Sequence, residues 1–461
     1  MATNIDDNRP RVMIVGAGLG GVTLALLLER ANVPYALFER AAQVKPLGSA
    51  ISLGVGVIPM FKQIGLFDEF MANSKAHLVT RRFNEEREQY GILDWRMMEE
   101  FGGYYNRIIS RPVLYDMLLR QIPQHKIFLS KRVLSMTQDD ERVIIQTSDN
   151  QKHEGDILVG ADGAYSGVRQ NLYRQMKQDG NLPASDVGDL PYSCTCLVGQ
   201  TRPLDPEEFP EILEEECSFR SLFGDARPYT HHLNKISAKS NDAFRNSEWG
   251  PEAAEQMCKE VRDFPVPGGN GKLVFGDLID RTPKEYISKV MLEEKLFDTW
   301  FGGRTVLLGD ACHKMNPSGA MGAVNAMHDA IALANWINVL PSTSNKDINM
   351  IFSEYKAERY PLAKKAFETS RMLSKLIEKT MVGAIARFAS KNMPVWLHRI
   401  AIAKMAANRP QVSFLPLVED KGSVKPIPQP SLIKSRKLAG SVSSTTTTTT
   451  ATTATSTAKA D

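Results

Sequence analysis

At 461 residues the chain is far above the length at which a core is hard to fill, and it has room for two or three structural units. Its 56 basic against 53 acidic residues leave a formal net charge of only +3, which argues against a nucleic-acid binder held by backbone electrostatics, while 43% hydrophobic and 24% charged residues describe an ordinary soluble globular protein. Five scattered cysteines, Cys194, Cys196, Cys217, Cys258 and Cys312, fit reduced thiols in a cytosol-like compartment, and none lies at zinc-site spacing, so neither a disulfide framework nor a metal is expected.

Met1 to Arg11 is short and polar, without the charged-then-apolar order of a signal peptide. Nowhere do about 18 apolar residues run uncharged, so no transmembrane helix is expected and the protein reads as cytoplasmic. Val12-Met13-Ile14-Val15 is a short apolar run ending in glycines, the pattern of a buried parallel strand. Residues 22–29 are helical in pattern, and Pro34-Tyr35-Ala36-Leu37-Phe38 makes a second strand that stops at Glu39. Strand, glycine turn, helix and strand form a βαβ unit.

Two further strands lie far along the chain. Asp156-Ile157-Leu158-Val159 runs into Gly160-Ala161-Asp162-Gly163, and Arg304-Thr305-Val306-Leu307-Leu308 runs into Gly309-Asp310. Between them, residues 189–286 mix Pro, Glu and aromatic residues with short apolar runs, which reads as an inserted, sheet-rich unit. A long helix is expected over 320–340, more helix over 341–409, and a proline-marked extended strap over 410–440. The Thr, Ser and Ala tail at 441–461 cannot bury enough surface to order itself. Within the helical region, Met381 to Met405 mixes Ile385, Phe388, Trp396, Leu397 and Ile400 with Arg387, Lys391, Arg399 and Lys404. That pattern fits a basic amphipathic segment packed on the core, or helices making peripheral contact with a membrane surface.

The chemistry begins at Gly16-Ala17-Gly18-Leu19-Gly20-Gly21, a G-x-G-x-x-G turn with Gly16, Gly18 and Gly21 in the three required places. The first glycine permits the tight turn, the second lets a pyrophosphate approach the backbone, and the third lets helix and strand pack closely. The helix N-terminus then offers free N–H groups and a positive dipole end to the phosphates. Glu39, at the end of the next strand, can accept both ribose hydroxyls of an adenosine. The context points to a bound dinucleotide, although the turn alone does not separate FAD from NAD.

Two segments separate them. Val159 to Arg169, containing Asp162-Gly163, resembles the Asp-Gly motif of the group A flavin monooxygenases, the para-hydroxybenzoate hydroxylase-like family. Gly309-Asp310-Ala311-Cys312-His313, continuing through Pro317, Gly322 and Asp329-Ala330, is similar to that family's Gly-Asp motif. The three motifs occur in the family's order, and the likeness covers about residues 11–340. It implies an α/β fold: a Rossmann-type FAD-binding domain in two parts, 8–188 (with some substrate-domain strands near 77–108) and 287–340. A substrate domain would be inserted at 189–286, with C-terminal helices at 341–409.

By the same resemblance, Asp310 would bind a ribityl hydroxyl, and Gly322 and Ala323 would open a helix facing the flavin pyrimidine. Arg111 would reach the FAD pyrophosphate. Asp162, with Gly163, would sit where pyrophosphate and passing nicotinamide donor are both contacted, and Gly48 to Ser52 would lie over the flavin. The implied cycle has FAD reduced by NADPH or NADH, reaction with O2, and oxygen transfer from a C4a-hydroperoxide to a small-molecule substrate. Lys314-Met315-Asn316-Pro317 looks closest to fungal members that epoxidise prenylated compounds or hydroxylate aromatic rings.

Departures from the family pattern are Asn316 in place of a proline, Val324 where asparagine is usual, and Ser52 for a common glycine. No second G-x-G-x-x-G occurs, since Gly268-Gly269-Asn270-Gly271 has the wrong spacing, so NAD(P)H would have no Rossmann domain of its own. Arg220, Tyr229, His231 and His232 in the insert are candidates to orient a substrate phenol or carboxylate. His313 and His328 read as helix-start and packing residues. A flavin-dependent reductase of prenyl groups and a non-catalytic flavin-bound scaffold remain the alternatives. A halogenase is disfavoured because no Trp-x-Trp occurs.

Overall fold

The computed structural model describes residues 9–43, 50–83, 86–188, 190–205, 207–208, 251–266, 271–376 and 380–438. Gly48, Arg220, Tyr229, His231, His232 and the tail at 441–461 lie outside the described residues.

The core is a six-stranded sheet. Its strands are β1 (Val12–Val15), β2 (Tyr35–Phe38), β3 (Ile127–Phe128), β4 (Ile157–Gly160), β5 (Phe301–Gly302) and β6 (Thr305–Leu307), in the spatial order β5-β6-β4-β1-β2-β3. All pairs are parallel except β5 with β6. Strands drawn from three distant parts of the chain thus close one sheet. Every residue of β1 and β4 is buried, because both have neighbours on either side and helices over the faces. That burial is why Val12–Val15 is uniformly apolar and does not alternate.

Helix α1 (Leu19–Arg30) returns the chain from β1 to β2 and buries ten of its residues. The short helix α2 (Arg111–Leu119) and α3 (Gly167–Gln178) follow, and the long α4 (Gly322–Asn338) packs on α1. Small residues permit that approach: a side chain on Gly20 would stand 3.3 Å from the Ala326 Cβ. The expected helix at 320–340 is thus two residues shorter at each end.

Antiparallel pieces surround the sheet. Val133–Gln138, Val143–Thr147 and Lys152–Gly155 form one meander, and Ala50–Leu53, Arg107–Ser110 and Ser74–Ala76 form another small sheet. Within the 77–108 region, Val79–Phe83 pairs with Gln89–Asp94. Of the inserted unit, the described residues hold one strand, Tyr192–Val198, two α-helices, Pro251–Glu260 and Phe275–Asp280, and the 3-10 turn Lys284–Tyr286. The strand pairs with Ser288–Glu293, just past the expected boundary at 286.

Helices α5 (Asn345–Ser374), α6 (Met381–Lys391) and α7 (Val395–Ala406) make the C-terminal extension. The strap that follows is tied to the core by side-chain amides. Gln63 exchanges hydrogen bonds with Val412, and Asn335 with Gln411 and Ser413. It is not extended throughout: residues 430–438 are helical. Ser431 at its start donates its N–H to Glu358 at 2.9 Å, which gives this short helix an anchor that the proline pattern did not reveal. Among the described residues no helix is long and apolar enough to cross a membrane.

Candidate cofactor site

The four turns singled out by sequence leave the sheet at the same edge. Val15 stands opposite Phe38 on one side and Gly160 on the other, and Gly160 stands opposite Leu307. The carboxyl ends of β6, β4, β1 and β2 are therefore in line, and Asp310, Asp162, Gly16–Gly18 and Glu39 follow them directly. A crevice outside the carboxyl ends of parallel strands, where the strand order reverses, is where α/β sheets bind ligands.

The three glycines have different physical reasons. Gly16 has φ +106°, and a Cβ there would stand 2.5 Å from the Ala161 carbonyl oxygen. A Cβ on Gly21 would drive into the Gly16 carbonyl. Gly18 has neither constraint: its φ is −72° and nothing lies within 4 Å of where a Cβ would be. The space above Gly18 is open, at the N-terminus of a helix with no side-chain cap and no acid in its first turn. Unsatisfied N–H donors and an open approach fit a phosphate group. Glu39 reaches back over the turn, accepting from the N–H of Ala17 at 2.8 Å and of Ala41 at 2.9 Å. Those bonds use two of its roughly four acceptor positions and hold it in place.

Asp162 braces its own turn. Its carboxylate accepts from the Ser166 hydroxyl and from the N–H groups of Gly167 (2.7 Å) and Val168 (3.2 Å), capping α3. Burial pushes its pKa up, with these hydrogen bonds opposing. Gly163 beside it has φ +83° and open space where a side chain would stand. From the same motif, the buried Arg169 donates to the carbonyls of Ala164 and Ala311 and lies 4.1 Å from the Phe297 ring centroid. It joins the turn after β4 to the turn after β6.

Asp310 meets two cations. Lys314 Nζ donates to Asp310 Oδ2 at 2.8 Å, and the Asp310 charge is the main reason the Lys314 pKa is raised. Arg111, at the start of α2, is open to solvent yet has its pKa lowered by desolvation, with Asp310 opposing. That combination belongs to a side chain lining a crevice. Asp310 Oδ1 faces Gly322, where a Cβ would come within 4.0 Å. Gly322 opens α4, again a helix with no side-chain cap and no acid in its first turn. Glu39, Arg111, Asp310 and two uncapped helix starts are a donor and acceptor set that fits FAD.

Behind the Gly-Asp turn lies a buried brace. Asp329 accepts from Gly309 N–H (3.0 Å) and Arg359 Nε (2.8 Å) and bonds His313 Nε2 at 2.5 Å. Burial alone would raise the Asp329 pKa, but the His313 and Arg359 charges outweigh it and hold the carboxyl well below its usual range. With Cys312 this is the one metal-like cluster among the described residues. Its carboxylate already has three partners, one of them a guanidinium, so the residues fit an internal brace and not a cation site. His328 bonds the Gly56 carbonyl through Nε2 (3.1 Å) and the Asn408 amide through Nδ1 (3.3 Å).

The departures from the family pattern also have local roles. Asn316 accepts from Ser318 N–H and Oγ, starting the turn Pro317–Gly319. Asn325 is buried and accepts from Arg359, so it is directed into the brace. Ser52 Oγ bonds His77 Nδ1 at 3.1 Å; His77 Nε2 bonds Thr80 Oγ1, which accepts from Trp95 Nε1. Sequence reasoning missed His77, since nothing local marks a contact across 25 residues. The Asp310–Lys314 pair was legible as an i, i+4 spacing of opposite charges, and Tyr165 with Glu293 was not.

A family model described as FAD binding domain matches residues 9–195 and 271–370. The chain is 27% identical over 405 residues to the FAD-dependent monooxygenase ausM of Penicillium brasilianum, covering 83% of each. It is 28% identical over 387 residues to the FAD-dependent monooxygenase paxM of Penicillium paxilli, covering 79% of this chain and 78% of that one. Among solved structures it is similar to Klebsiella pneumoniae HpxO complexed with FAD and uric acid, with TM-score 0.65 and 17% identity, over 87% of this chain and 97% of that one. A salicylate hydroxylase substrate complex matches with TM-score 0.55 and 17% identity, over 88% and 100%. At such identities the solved structures speak for the fold alone.

Proposed function

The chain belongs to the FAD-binding-domain family of group A flavoprotein monooxygenases, and on that premise we propose that it uses NAD(P)H and O2 to hydroxylate or epoxidise an apolar aromatic or isoprenoid small molecule. The observation that carries the reading is the alignment of Glu39, Gly18, Asp162 and Asp310 along one sheet edge, with two uncapped helix starts and Arg111 beside them.

Bound FAD supplies the electron transfer and oxygen activation that no amino-acid side chain provides. The chain's own share is placement. Gly18 and the start of α1 receive the pyrophosphate with Arg111, Glu39 takes the adenosine ribose, and Asp310 takes the ribityl chain. Gly322 and Ala323 open α4, whose positive end would face the flavin ring and favour negative charge there. Ser52, bonded to His77, stands on the Ala50–Leu53 strand, which would lie beside the ring. The nicotinamide donor passes without a Rossmann domain of its own, because a second glycine fingerprint is absent from the sequence. Arg220, Tyr229 and His231 are proposed to orient the substrate from the inserted unit.

The test is NADPH- and NADH-dependent O2 consumption by the purified yellow protein against a panel of aromatic and isoprenoid substrates, with product mass read by mass spectrometry. The expected product gains one oxygen atom. A gain of two hydrogens with no O2 uptake identifies a prenyl reductase, and no consumption with any substrate identifies a flavin-bound scaffold. Either result overturns the oxygenase reading.

A further inference from the structure

Helices α6 and α7 carry an apolar surface that no other element covers among the described residues. Gly383 is the only buried residue of α6, and the helix turns Met381, Val382, Ile385 and Phe388 outward, with Met381 81% and Phe388 71% exposed. Helix α7 is apolar on both sides. Ile402 and Ala406 pack with Met98 and Phe101, while Val395, Trp396, Leu397 and Ile400 face solvent, Val395 at 72% exposure. The turn between the helices, Asn392 to Pro394, is exposed as well. Folded proteins leave single apolar side chains in water, but these eight within the twenty residues from Met381 to Ile400 mark an interaction site.

Charge says what covers it. From Thr380 to Val418 there is no Asp or Glu, yet the stretch holds Arg387, Lys391, Arg399, Lys404 and Arg409. Arg399 is paired with Glu100 and Arg409 with Asp420, while Lys391 and Lys404 are exposed and have no ion-pair partner among the described residues. A second copy of the chain would bring the same cations against each other, with no acid in the stretch to answer them. A surface that is apolar inside and anionic outside answers both features. Lys and Arg stems can lie along apolar surface with their charges at its edge, and Trp396 suits the boundary between the two environments.

We propose that α6 and the outer side of α7 dock the protein on a bilayer surface containing anionic lipid, with Phe388, Trp396 and their apolar neighbours entering the headgroup boundary. The helices are 11 and 12 residues long, and none of the described helices can cross a membrane, so this is contact in the plane of the surface. The proposal rests on the exposed face and its charge, and stands apart from the oxygenase reading.

The experiment is co-sedimentation of the full-length, FAD-loaded protein with phosphatidylcholine vesicles, with and without about 30% phosphatidylserine. Binding is expected to be roughly tenfold tighter on the anionic vesicles and to weaken as salt is raised. Phe388→Ser with Trp396→Ser should abolish it, and Lys391→Glu with Lys404→Glu should remove the preference for phosphatidylserine, both with the flavin spectrum unchanged. Should the serine pair disturb folding, quenching by brominated lipid gives a second reading: wild type is quenched and Trp396→Phe is not. Absence of binding to any vesicle overturns the proposal, as does equal binding by the serine pair. Sedimentation velocity showing a dimer that the serine pair dissolves also overturns it, and assigns the face to a second copy of the chain.

Discussion

The guanidinium of Arg169 donates to the carbonyl of Ala311 at 2.8 Å, so a residue in the first turn of α3 holds the turn after β6. The two motifs are 142 residues apart in the chain and are one unit in space. The Arg169 side chain also stacks on Phe297, and burial lowers its pKa.

Replacing Arg169 by Met keeps much of the volume but leaves two carbonyls without their donor. The expected loss is about 3 kcal/mol of unfolding free energy in urea titration, with weaker FAD retention. An unchanged midpoint with full flavin content would show that the two turns are held by something else.

Gly18 and Gly21 should separate function from folding. Gly18→Ala meets no protein atom and sits at an ordinary φ, so stability should change by less than about 1 kcal/mol. The same methyl stands where the pyrophosphate must approach, and the flavin absorbance ratio should drop at least tenfold. Gly21→Ala should instead destabilise the fold by about 3 kcal/mol, because its methyl meets the Gly16 backbone. If the two variants behaved alike in thermal melts, the distinction would be wrong.

Asp310→Ala removes the acceptor beside Gly322 and leaves Lys314 without its partner. A hydrogen bond to a charged group contributes about 1.5–3 kcal/mol, so FAD should bind roughly tenfold to a hundredfold more weakly and be lost on purification. Equilibrium dialysis against FAD measures it, and Asp310→Asn should recover part of the affinity. A full flavin spectrum in Asp310→Ala would contradict the assignment.

His328 gives a pH dependence of defined sign. Burial, and next the Arg359 charge, push its pKa from 6.5 down to about 3. The unfolded chain therefore takes up a proton below 6.5 that the folded chain refuses. Stability should be full above that pH and fall on acidification toward 3, by roughly 1.4 kcal/mol per pH unit for this one group. The Asp329 carboxyl, held low by its partners, adds its own loss only below its ordinary pKa of 3.8. Urea midpoints at pH 7.5, 6 and 5 should show the slope, and His328→Gln should flatten it. Equal slopes in both proteins would remove His328 as the source.

The sequence by itself determined the local parts: the strand–glycine–helix–strand unit, the carboxylate after the second strand, and two Asp-bearing turns after apolar runs. Such features are legible because a tight turn, a buried strand and a helix start each restrict residue type within a few positions. What only the tertiary structure decided is which of these stand side by side. The pairing of Gly160 with Leu307 aligns Asp162 with Asp310, and no local pattern specifies it, because parallel strands are paired through buried apolar faces that many registers would satisfy equally well. For the same reason Ser52 with His77, Asp329 with Arg359 and Arg169 with Ala311 were invisible. Each is a hydrogen bond between segments that meet only after the core has closed, and that closure also directed Ile402 inward and left Trp396 in the solvent.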